Sequence, residues 1–440
     1  MIPPLLENGR FPLGNYSQYK ADTLNFWLDC AQAGPLVRVR FAHRELWVVT
    51  DAEMVQEMLQ TKAKNYPRAK EITRSDGINT GRTVFNAPTW QEWLWRRRLL
   101  QPAFHRKQLA TFAEAMVDET AVFMRDWQPG KQLPMKTAMK DLTMRIIGRT
   151  MFSAPLEQTD ILQQCFEQVS EYAVYRSSTV VKLPAWLPLP LFRRTRWAVT
   201  MREKLVSELV EQRLASGQPQ DDLLDMLIAA NLEDGTTFSA QDIVHEMISI
   251  IFAGHETTSM TLTWLFYLLA QYPEVEARIR DEIGEVLNGR LPTLNDLPKM
   301  PYTNWVVQET MRLYPSVYVT IRDAIADDEL GGYSIPAGTQ FVVNIRGLHR
   351  DPRYWQQPER FDPERFDPPR HNNRPKGAYI PFLTGPRKCI GDSFAMMEMQ
   401  LIVPTILQQW CLRPSGEPPK EVASFTMEPH NEVAMVPIRA

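Results

Sequence analysis

The stretch "PFLTGPRKCIGDSF", residues 381–394, surrounds one of only four cysteines in this 440-residue chain with two glycines and an arginine. A strong helical pattern, "IGDSFAMMEMQLIVPTIL", follows Cys389, so its thiol lies just before a predicted helix N-terminus. Unpaired backbone N–H groups and the helix dipole stabilise a thiolate at such a position. Taken alone, Cys389 also fits an ordinary buried apolar residue, which is the usual state of a free cysteine.

The composition is that of a globular protein, with 44% apolar residues, 23% charged residues and a net charge of −3. This balance argues against a nucleic-acid-binding protein, which generally carries a clear basic excess. The four cysteines are too widely spaced for a disulfide framework or a zinc site, and they predict a reducing compartment, which we take to be a bacterial cytoplasm. The sequence shows neither a secretory signal nor an apolar run long enough to span a bilayer.

Amphipathic helices dominate the predicted secondary structure from Thr111 onward. They cover residues 111–127, 136–152, 159–174 and 194–215. Short strand candidates flank them, "LVRVRFA" and "LWVVTD" near the start and "GTQFVVNI" and "EVAMVPI" near the end. We expect strands from the two termini to pair with each other. Residues 351–377 are rich in proline, which predicts an ordered but irregular meander.

One helical pattern is much longer than the others and covers residues 236–273. Ser239 and Asp242 predict a capping box at its start, and Pro273 predicts its end. A helix of about 30 residues crosses a whole domain, so it is expected to run through the core. The polar segment "AGHETT", residues 253–258, interrupts its apolar pattern, and such local conflicts concentrate at functional sites.

The segment "FLTGPRKCIG" matches F-x-x-G-x-R-x-C-x-G at every fixed position and resembles the haem-binding loop of the cytochrome P450 monooxygenases. The resemblance implies haem b as the cofactor and the Cys389 thiolate as its axial iron ligand. It implies that Phe382 shields the sulfur. It also implies that Gly385 and Gly391 leave space for the macrocycle and for the turn of the loop. Thiolate ligation needs such a site, with a buried anionic sulfur and small residues beside the macrocycle.

The same resemblance implies the fold, which is mainly α with smaller β-sheets (α+β). It implies a long central helix over the haem and a β region built from N-terminal and C-terminal strands. We expect residues 1–440 to form a single cytochrome P450 haem-thiolate domain. Because about 50 residues follow the cysteine, we expect no fused reductase domain.

Glu309 and Arg312 in "ETMRLYP" lie three residues apart on a predicted helix, so their side chains face one way. As a bare pattern this spacing means little, since most such pairs are solvated surface bridges. In the P450 family the pair binds an arginine of the meander, and Arg365 in "FDPERF" is the matching residue. The resemblance therefore gives these three residues a structural role, in which they lock the cysteine loop.

"AGHETT" resembles the oxygen-activating segment of the family. Gly254 is expected to widen the helix next to Ala253 and make space for dioxygen, and Glu256 and Thr257 are expected to relay protons. Cleavage of dioxygen consumes two protons, which a carboxyl and a hydroxyl can deliver into a dry pocket. The alternative is a threonine bonded to the carbonyl four residues earlier and a glutamate on a solvated face. His255 has no second ligand at metal-binding spacing, so we interpret it as a packing residue.

The two propionates of haem need cations in a largely buried site. Trp93 and Arg97 lie one helical turn apart in "WLWRR" and resemble the propionate-binding helix of the family. Arg322 and Arg387 occupy two other positions where the family carries propionate-binding residues.

A basic patch for an electron donor is also predicted. Arg96 and Arg98 are expected to point outward, and with Lys388 and Arg106 they would form a positive face near the cysteine loop. Such a face would attract an acidic ferredoxin- or flavodoxin-type donor, itself served by a reductase. A merely solvated basic face is the alternative.

The family positions that line the substrate pocket are apolar in this chain. They are Val84, Phe85, Phe252, Val317, Val319 and Pro429. They predict a lipophilic substrate, although each residue also fits plain core. Arg68, Lys70, Arg74 and Arg82 precede Trp93, and one of them could receive a fatty-acid carboxylate.

The resemblance implies a monooxygenase that inserts one atom of O2 into a fatty acid, a terpenoid, a carotenoid or a similar compound, with electrons from separate redox partners. Two alternatives stay open. One is a peroxide-driven peroxygenase of the same fold, and the other is a haem protein that binds or senses a ligand without turnover. The peroxide-specialised members lack the acid–alcohol pair, so Glu256 and Thr257 favour dioxygen.

Overall fold

The computed structural model describes residues 1–7, 9, 12–73, 81–153, 159–179, 182–371 and 373–440. Helices dominate it, as the sequence periodicity predicts. Their bounds in chain order are α1 Tyr16–Ala21, α2 Thr23–Ala33, α3 Ala52–Gln56, α4 Lys70–Thr73, α5 Trp90–Leu100, α6 Arg106–Phe123, α7 Met135–Phe152, α8 Thr159–Ser178, α9 Pro190–Ser216, α10 Leu223–Ala229, α11 Ala240–Gln271, α12 Pro273–Leu287, α13 Pro301–Leu313, α14 Ile345–Arg350, α15 Pro368–His371 and α16 Asp392–Leu407.

The strands form several small sheets. Their bounds are β1 Leu36–Phe41, β2 Arg44–Val49, β3 Leu133–Pro134, β4 Val319–Asp323, β5 Asp328–Leu330, β6 Tyr333–Ile335, β7 Gln340–Asn344, β8 Trp410–Pro414, β9 Glu421–Ala423, β10 Met427–Pro429 and β11 Ala434–Arg439. The largest sheet has the order β1-β2-β7-β4. β2 and β7 run parallel, with Val48 opposite Val342, which confirms that segments from the two ends of the chain pair.

The last strand does not join this sheet. β11 pairs antiparallel with β8 and with β3 and therefore belongs to a second sheet. Met435 of β11 is buried in the helical core together with Trp410 and Leu412 of β8. Burial of these three side chains in one cluster fixes β11 beside β8.

The long helix α11 begins with the predicted capping box. The Ser239 side chain accepts from the Asp242 amide, and the Asp242 carboxylate accepts from the Ser239 amide. The helix has 32 residues and ends just before Pro273. It is buried through most of its length, and Ile146 and Leu142 of α7 share its core cluster. At 1.5 Å per residue it spans about 48 Å, so it supports both halves of the helical core.

α16 forms the base of the cysteine loop. Its residues Leu401, Ile402, Val403 and Ile406 are fully buried, and a helix that is apolar nearly all round must be central. It therefore holds residues 381–391 on a rigid support. The described residues between 351 and 377 contain only single helical turns, such as the 3₁₀ turn Pro363–Phe366, which confirms the irregular meander. Among the described residues, no helix is long and apolar enough to cross a membrane.

Candidate active site

The cysteine loop turns sharply at Leu383 and Gly385, whose φ angles are +60° and +74°. The Cys389 amide donates to the Phe382 carbonyl at 2.9 Å and closes the loop. Gly385 is needed for space as well as for its φ angle, because a Cβ atom there would lie 2.0 Å from the carbonyl oxygen of Leu59. This glycine therefore serves the turn and the close backbone approach.

The Cys389 thiol lies just before α16. Cys389 is exposed at its surface, yet burial of its sulfur raises the pKa of the thiol. The Gly391 amide and the Arg97 guanidinium oppose that rise. A Cβ atom at Gly391 would meet a single side-chain atom, in Phe104 at 3.9 Å, so the protein leaves room beside the sulfur. The protein alone does not favour the thiolate, whereas a coordinated metal ion would deprotonate it.

Three arginines converge near this loop. Arg322 on β4 and Arg387 in the loop are buried, and Arg68 pairs with Arg322 through an isolated β-bridge. Arg68 Nε and the Nε and Nη1 atoms of Arg387 are buried without a hydrogen-bond partner among the described residues. The contacts that do form are neutral: Arg68 donates to the Phe85 carbonyl at 2.6 Å, and Arg322 donates to the Thr320 hydroxyl at 2.8 Å.

The three guanidinium groups destabilise each other's charge. Burial lowers the pKa of Arg322 and of Arg387 to about 10, and the Arg387 charge lowers that of Arg322 further. Burial and the charges of these two arginines lower the pKa of Arg68 to about 9. Buried cations of this kind are normally paired, so this arginine cluster has the character of an anion site. Arg68 was not among the residues predicted for the cofactor.

Trp93 and Arg97 lie on α5, whose N-terminus is capped by the Thr89 side chain. The Arg387 guanidinium lies 4.7 Å from the centre of the buried Trp93 ring. Arg97 Nη1 donates to the Lys388 carbonyl at 2.8 Å, so this arginine holds the cysteine loop directly.

Arg96 does not point outward, so that prediction is wrong. Only 4% of its side chain is exposed. Its Nη2 atom lies 2.8 Å from Asp242 Oδ1 and its Nη1 atom 3.0 Å from Glu246 Oε1, both on α11. These two carboxylates turn the guanidinium inward. Of the remaining residues of the predicted basic patch, Arg98 is exposed and Lys388 pairs with Asp392, while the side chain of Arg106 lies outside the described part of the structure.

The middle of α11 presents backbone and small side chains. Ala253 is exposed although the helix around it is buried. The Thr257 hydroxyl donates to the Ala253 carbonyl at 2.8 Å. This is the bond to the carbonyl four residues earlier that the alternative interpretation of Thr257 predicts. The helix stays a regular α-helix through Gly254, so the expected widening is absent. A Cβ atom at Gly254 would lie 3.4 Å from Ile147 Cδ1 of α7, which is an ordinary van der Waals contact, so packing alone does not require a glycine here.

Glu256 is buried, so the alternative of a glutamate on a solvated face is wrong. Its Oε1 atom accepts from the Thr426 hydroxyl at 3.3 Å, and its Oε2 atom lies 3.9 Å from Lys140 Nζ. Lys140 also contacts Glu167 Oε1 at 3.0 Å, and 56% of that glutamate side chain is exposed. Burial raises the pKa of Glu256, and the Lys140 charge opposes the rise. Among the described contacts, no hydrogen bond joins the Glu256 carboxylate to the Thr257 hydroxyl.

His255 packs in the core, where burial lowers its pKa to about 3 and keeps it neutral. In the part of the chain that the structure describes, no group of three or more His, Cys, Asp or Glu side chains could hold a metal ion.

Glu309, Arg312 and Arg365 meet as one buried cluster. Arg312 Nε lies 2.7 Å from Glu309 Oε2, and Arg365 Nε lies 3.3 Å from Glu309 Oε1. Arg312 also donates to the carbonyls of His349 and Pro358, at 2.8 and 2.7 Å. The cluster therefore joins α13 to the meander that leads into the cysteine loop.

An aromatic group lies beside the middle of α11. The Phe252 ring centre is 5.4 Å from that of Phe166 on α8 and 4.9 Å from that of Phe425 in the turn between β9 and β10. Sequence reasoning predicted Phe252 but missed both partners. Val84 and Phe85 lie in the segment before α5, where both Glu246 oxygens accept from the Val84 amide, at 3.0 and 3.1 Å.

The other predicted pocket residues pack against the sheets. Val317 borders the core cluster of β7, and Val319 lies in β4 beside the cluster that contains Val342. Pro429 is buried in β10, and its carbonyl accepts from Lys136 Nζ at 3.1 Å. Pro429 therefore contacts α7 through its carbonyl, and its place in the substrate pocket stays a prediction.

Two of the four candidates for a carboxylate-binding cation contact other groups of the protein. Arg82 Nη1 lies 3.4 Å from Glu92 Oε2, and Arg68 belongs to the arginine cluster. Lys70 is exposed at the start of α4, and Arg74 lies outside the described residues.

The site fits a ligand with two carboxylates and a metal that accepts a sulfur ligand. The arginine cluster supplies buried cations with unused donors, and Cys389 supplies the sulfur. Ala253 is exposed, and a Cβ atom at Gly391 would meet a single side-chain atom, so each of these positions leaves room for a bound group. These are the requirements of haem.

The family model "Cytochrome P450" matches residues 4–435. A cyclooctat-9-en-7-ol 5-monooxygenase of Streptomyces melanosporofaciens is 34% identical to this chain, over 89% of this chain and 85% of its own length. A pentalenene oxygenase of Streptomyces avermitilis is 30% identical, over 93% of this chain and 91% of its own length. The solved heme domain of a cytochrome P450DA mutant superposes with a TM-score of 0.88 over 100% of this chain and 98% of its own, and at 24% identity it shows the shared fold.

Proposed function

This chain belongs to the cytochrome P450 family of oxidoreductases, and we propose that it is a haem-thiolate monooxygenase that inserts one atom of O2 into a neutral terpenoid. The observation that supports this proposal most strongly is the arginine cluster beside Cys389, whose guanidinium groups keep buried N–H donors without a hydrogen-bond partner among the described residues. Cys389 would be the axial ligand of haem b, and Arg68, Arg322 and Arg387 would bind its propionates. Bound haem would supply the dioxygen chemistry, with electron density from the thiolate.

The side chains around the cofactor would each have a defined task. Trp93 packs against the Arg387 guanidinium and orients it, and Arg97 holds the Lys388 carbonyl and therefore the loop. Phe382 anchors the loop through its carbonyl, which accepts from the Cys389 amide. Glu309, Arg312 and Arg365 fix the meander behind the loop without reaching substrate.

Protons would reach the site through side chains of α7, α8 and α11. Glu167 is exposed, Lys140 contacts both Glu167 and Glu256, and Glu256 is buried. Because burial raises the pKa of Glu256, its carboxyl retains a proton more readily than an exposed one. Thr257 donates its hydroxyl hydrogen to the Ala253 carbonyl, which leaves the hydroxyl lone pairs free to accept a hydrogen bond from water. This arrangement supports a dioxygen-dependent enzyme over a peroxygenase.

An uncharged terpenoid is the substrate class that the observations support. The aromatic group Phe166, Phe252 and Phe425 is apolar, and Arg82 is already paired with Glu92. Two relatives at 30% identity or more carry names that specify oxidation of cyclooctat-9-en-7-ol and of pentalenene. Arg68 belongs to the arginine cluster that would hold the propionates, and the Arg82 side chain is 69% exposed, so neither supplies a free buried cation for a fatty-acid carboxylate.

The test combines binding with turnover. The purified haem protein is titrated with cyclic terpene alcohols and hydrocarbons and with fatty acids, and displacement of the iron-bound water is followed spectrally. Turnover then uses ¹⁸O₂ with a ferredoxin and its reductase. We expect terpenoids to bind and their products to carry one labelled oxygen atom. Fatty acids that bind tighter than the corresponding alcohols would contradict the substrate class, and unlabelled products would contradict the reaction.

Electrons would come from a separate ferredoxin- or flavodoxin-type donor, in a bacterial cytoplasm. Arg98 and Lys388 are exposed beside the cysteine loop and support an acidic donor at this face. We expect Arg98→Glu to slow reduction by the donor at low salt, because attraction of the acidic donor is lost. The same variant should keep its peroxide-supported activity. A slow-down of both reactions would show that the site itself was damaged and would contradict this assignment.

A further inference from the structure

The turn between β9 and β10, residues 424–426, lies against the middle of α11. The Phe425 ring centre is 4.9 Å from that of Phe252, and the Thr426 hydroxyl donates to Glu256 Oε1 at 3.3 Å. Phe252 and Glu256 are four residues apart on α11, so they share one face of the helix. The turn therefore contacts the aromatic group with one residue and the buried carboxyl with the next.

Hydrogen bonds at both ends hold this turn in place. The Tyr318 hydroxyl donates to the Ser424 carbonyl at 3.0 Å. At the other end, the Met427 amide donates to the Ser316 carbonyl at 3.0 Å. The turn is therefore held independently of its contact with Glu256, so it provides a fixed support for that side chain.

Thr426 differs from the buried threonines of the helices. Thr263 and Thr405 each donate to a backbone carbonyl four residues earlier in their own helix. Thr426 is fully buried in a turn, and its hydroxyl donates to a carboxylate oxygen of α11. Hydrogen bonds to ionised acceptors are stronger than those between neutral groups, so this contact can hold the Glu256 side chain in one orientation.

The other polar groups that face the Glu256 carboxyl are charged. Lys136 and Lys140 lie on α7, Glu428 lies on β10 and Glu167 on α8. Lys136 Nζ is 2.8 Å from Glu428 Oε2, so these two charges balance each other. Lys140 Nζ lies nearer to Glu167 than to Glu256, at 3.0 Å against 3.9 Å. Lys140 alone therefore does not fix the orientation of the Glu256 carboxyl.

We propose that Thr426 is a positioning residue for the Glu256 carboxyl, which its hydroxyl holds in the orientation needed for proton transfer. The inference rests on the proposed function, in which Glu256 carries protons. The support of the turn also reaches Thr257, because the Ser316 hydroxyl donates to the Thr257 carbonyl at 2.9 Å. Both residues of the acid–alcohol pair are thus held from the same side of α11.

The alternative is that Thr426 only fills space in the core. Valine has the shape of threonine without the hydroxyl, so Thr426→Val removes the hydrogen bond and leaves the volume unchanged. Thr426→Ser retains a hydroxyl and should restore the contact. Thr405→Val is the matched control, since Thr405 is also fully buried and its hydroxyl donates only to the Leu401 carbonyl, at 2.6 Å. The haem absorption spectrum shows that each variant is folded.

The test follows the infrared band of the protonated Glu256 carboxyl across pH in the full-length haem protein. Glu256→Gln identifies this band by its loss and separates it from the bands of other buried carboxyls. A hydroxyl that donates to a carboxylate favours the ionised form. Thr426→Val should therefore raise the pH of half-ionisation by about one pH unit. Thr426→Ser and Thr405→Val should keep the wild-type value.

The pH profile of turnover supplies the second readout. Product formed per reducing equivalent is measured with a cyclic terpenoid, a ferredoxin and its reductase. Because Glu256 carries the proton, the alkaline limb of this profile should move upward together with the infrared midpoint in Thr426→Val.

The two readouts separate the inference from the proposed function. An infrared shift with an unchanged pH profile would support the positioning of Glu256 by Thr426 and contradict the proton route. An unchanged infrared midpoint in Thr426→Val, or an equal shift in Thr405→Val, would overturn the inference whatever the turnover shows.

Discussion

Two groups of arginines lie near the cysteine loop, and they differ in whether a carboxylate balances their charge. In the first group, Arg312 and Arg365 share the carboxylate of Glu309 and donate to meander carbonyls. In the second, the arginine cluster of Arg68, Arg322 and Arg387, no carboxylate of the described residues forms an ion pair.

The difference distinguishes arginines that stabilise the fold from arginines that can bind an anionic ligand. A buried guanidinium that has its own carboxylate is complete in the folded protein, so it stabilises a particular geometry. A buried guanidinium without one stays unsatisfied until an anion arrives from outside. The first group lies behind the cysteine loop and the second beside it, which is the arrangement expected of a support and of a cofactor site.

Removal of the shared carboxylate should have the largest effect. Glu309→Gln leaves Arg312 and Arg365 buried without their counter-charge, and loss of one partner of a buried ion pair lowers stability by about 3–5 kcal/mol. Chemical denaturation measures the change. Glu364→Gln removes an exposed partner of Arg278 and should change stability by less than about 1 kcal/mol. Equal effects of the two substitutions would show that the buried cluster has no special role.

A buried carboxyl that has no cation beside it should destabilise the folded protein as pH rises. Burial raises the pKa of Glu398 on α16 to about 8, and only the Thr258 hydroxyl opposes the rise. The folded state therefore keeps this proton up to about pH 8, while the unfolded chain releases it near its ordinary pKa of about 4.5. The contribution of Glu398 to stability falls as pH rises between these values, by up to about 1.4 kcal/mol per pH unit.

Glu398→Gln should remove this slope, so that the variant gains stability relative to wild type as pH rises from 5 to 8. Denaturation midpoints across that range provide the measurement. Glu359→Gln, at an exposed position, should retain the slope of wild type. An unchanged slope in Glu398→Gln would mean that this carboxyl is ionised in the folded protein.

The sequence predicted those features whose partners are close along the chain. The capping box of Ser239 and Asp242, the pair of Glu309 and Arg312, and the position of Cys389 before α16 all depend on spacings of a few residues. Such local geometry follows directly from helix periodicity.

Features that depend on tertiary partners were missed or misjudged. Arg68 joins the arginine cluster because a β-bridge places it opposite Arg322, far along the chain. Arg96 turns inward because Glu246, 150 residues away, lies beside it in the fold. An alternating or helical pattern predicts which way a side chain faces only when no charged residue from a distant part of the chain pairs with it.

Removal of a cation from the arginine cluster should affect the cofactor more than the fold. Arg387→Leu deletes a buried charge that has no carboxylate partner, so the haem-free protein should unfold at the same or higher denaturant concentration. Loss of a propionate contact should speed haem dissociation by about tenfold or more. Transfer of haem to an apoprotein acceptor measures the rate. Arg98→Leu, at an exposed position of α5, is the matched control, and equal haem loss by both variants would contradict the assignment.

The smallest effect is expected at Arg82, whose exposed side chain pairs only with Glu92. Arg82→Gln should change terpenoid and fatty-acid affinities by less than about twofold, because a surface ion pair contributes little. Spectral titration provides both affinities. A selective loss of fatty-acid binding would show that Arg82 receives a carboxylate and would reopen the substrate class.

The central claim is that Cys389 ligates haem iron while the arginine cluster holds the propionates. The ferrous carbon monoxide spectrum of the purified protein tests it most directly, compared with that of Cys389→Ser. We predict that wild type has the red-shifted Soret band of thiolate ligation, and that the variant loses the shift while the arginines still retain haem. A wild-type spectrum of the histidine-ligated type, or a shift that survives in Cys389→Ser, would contradict the account.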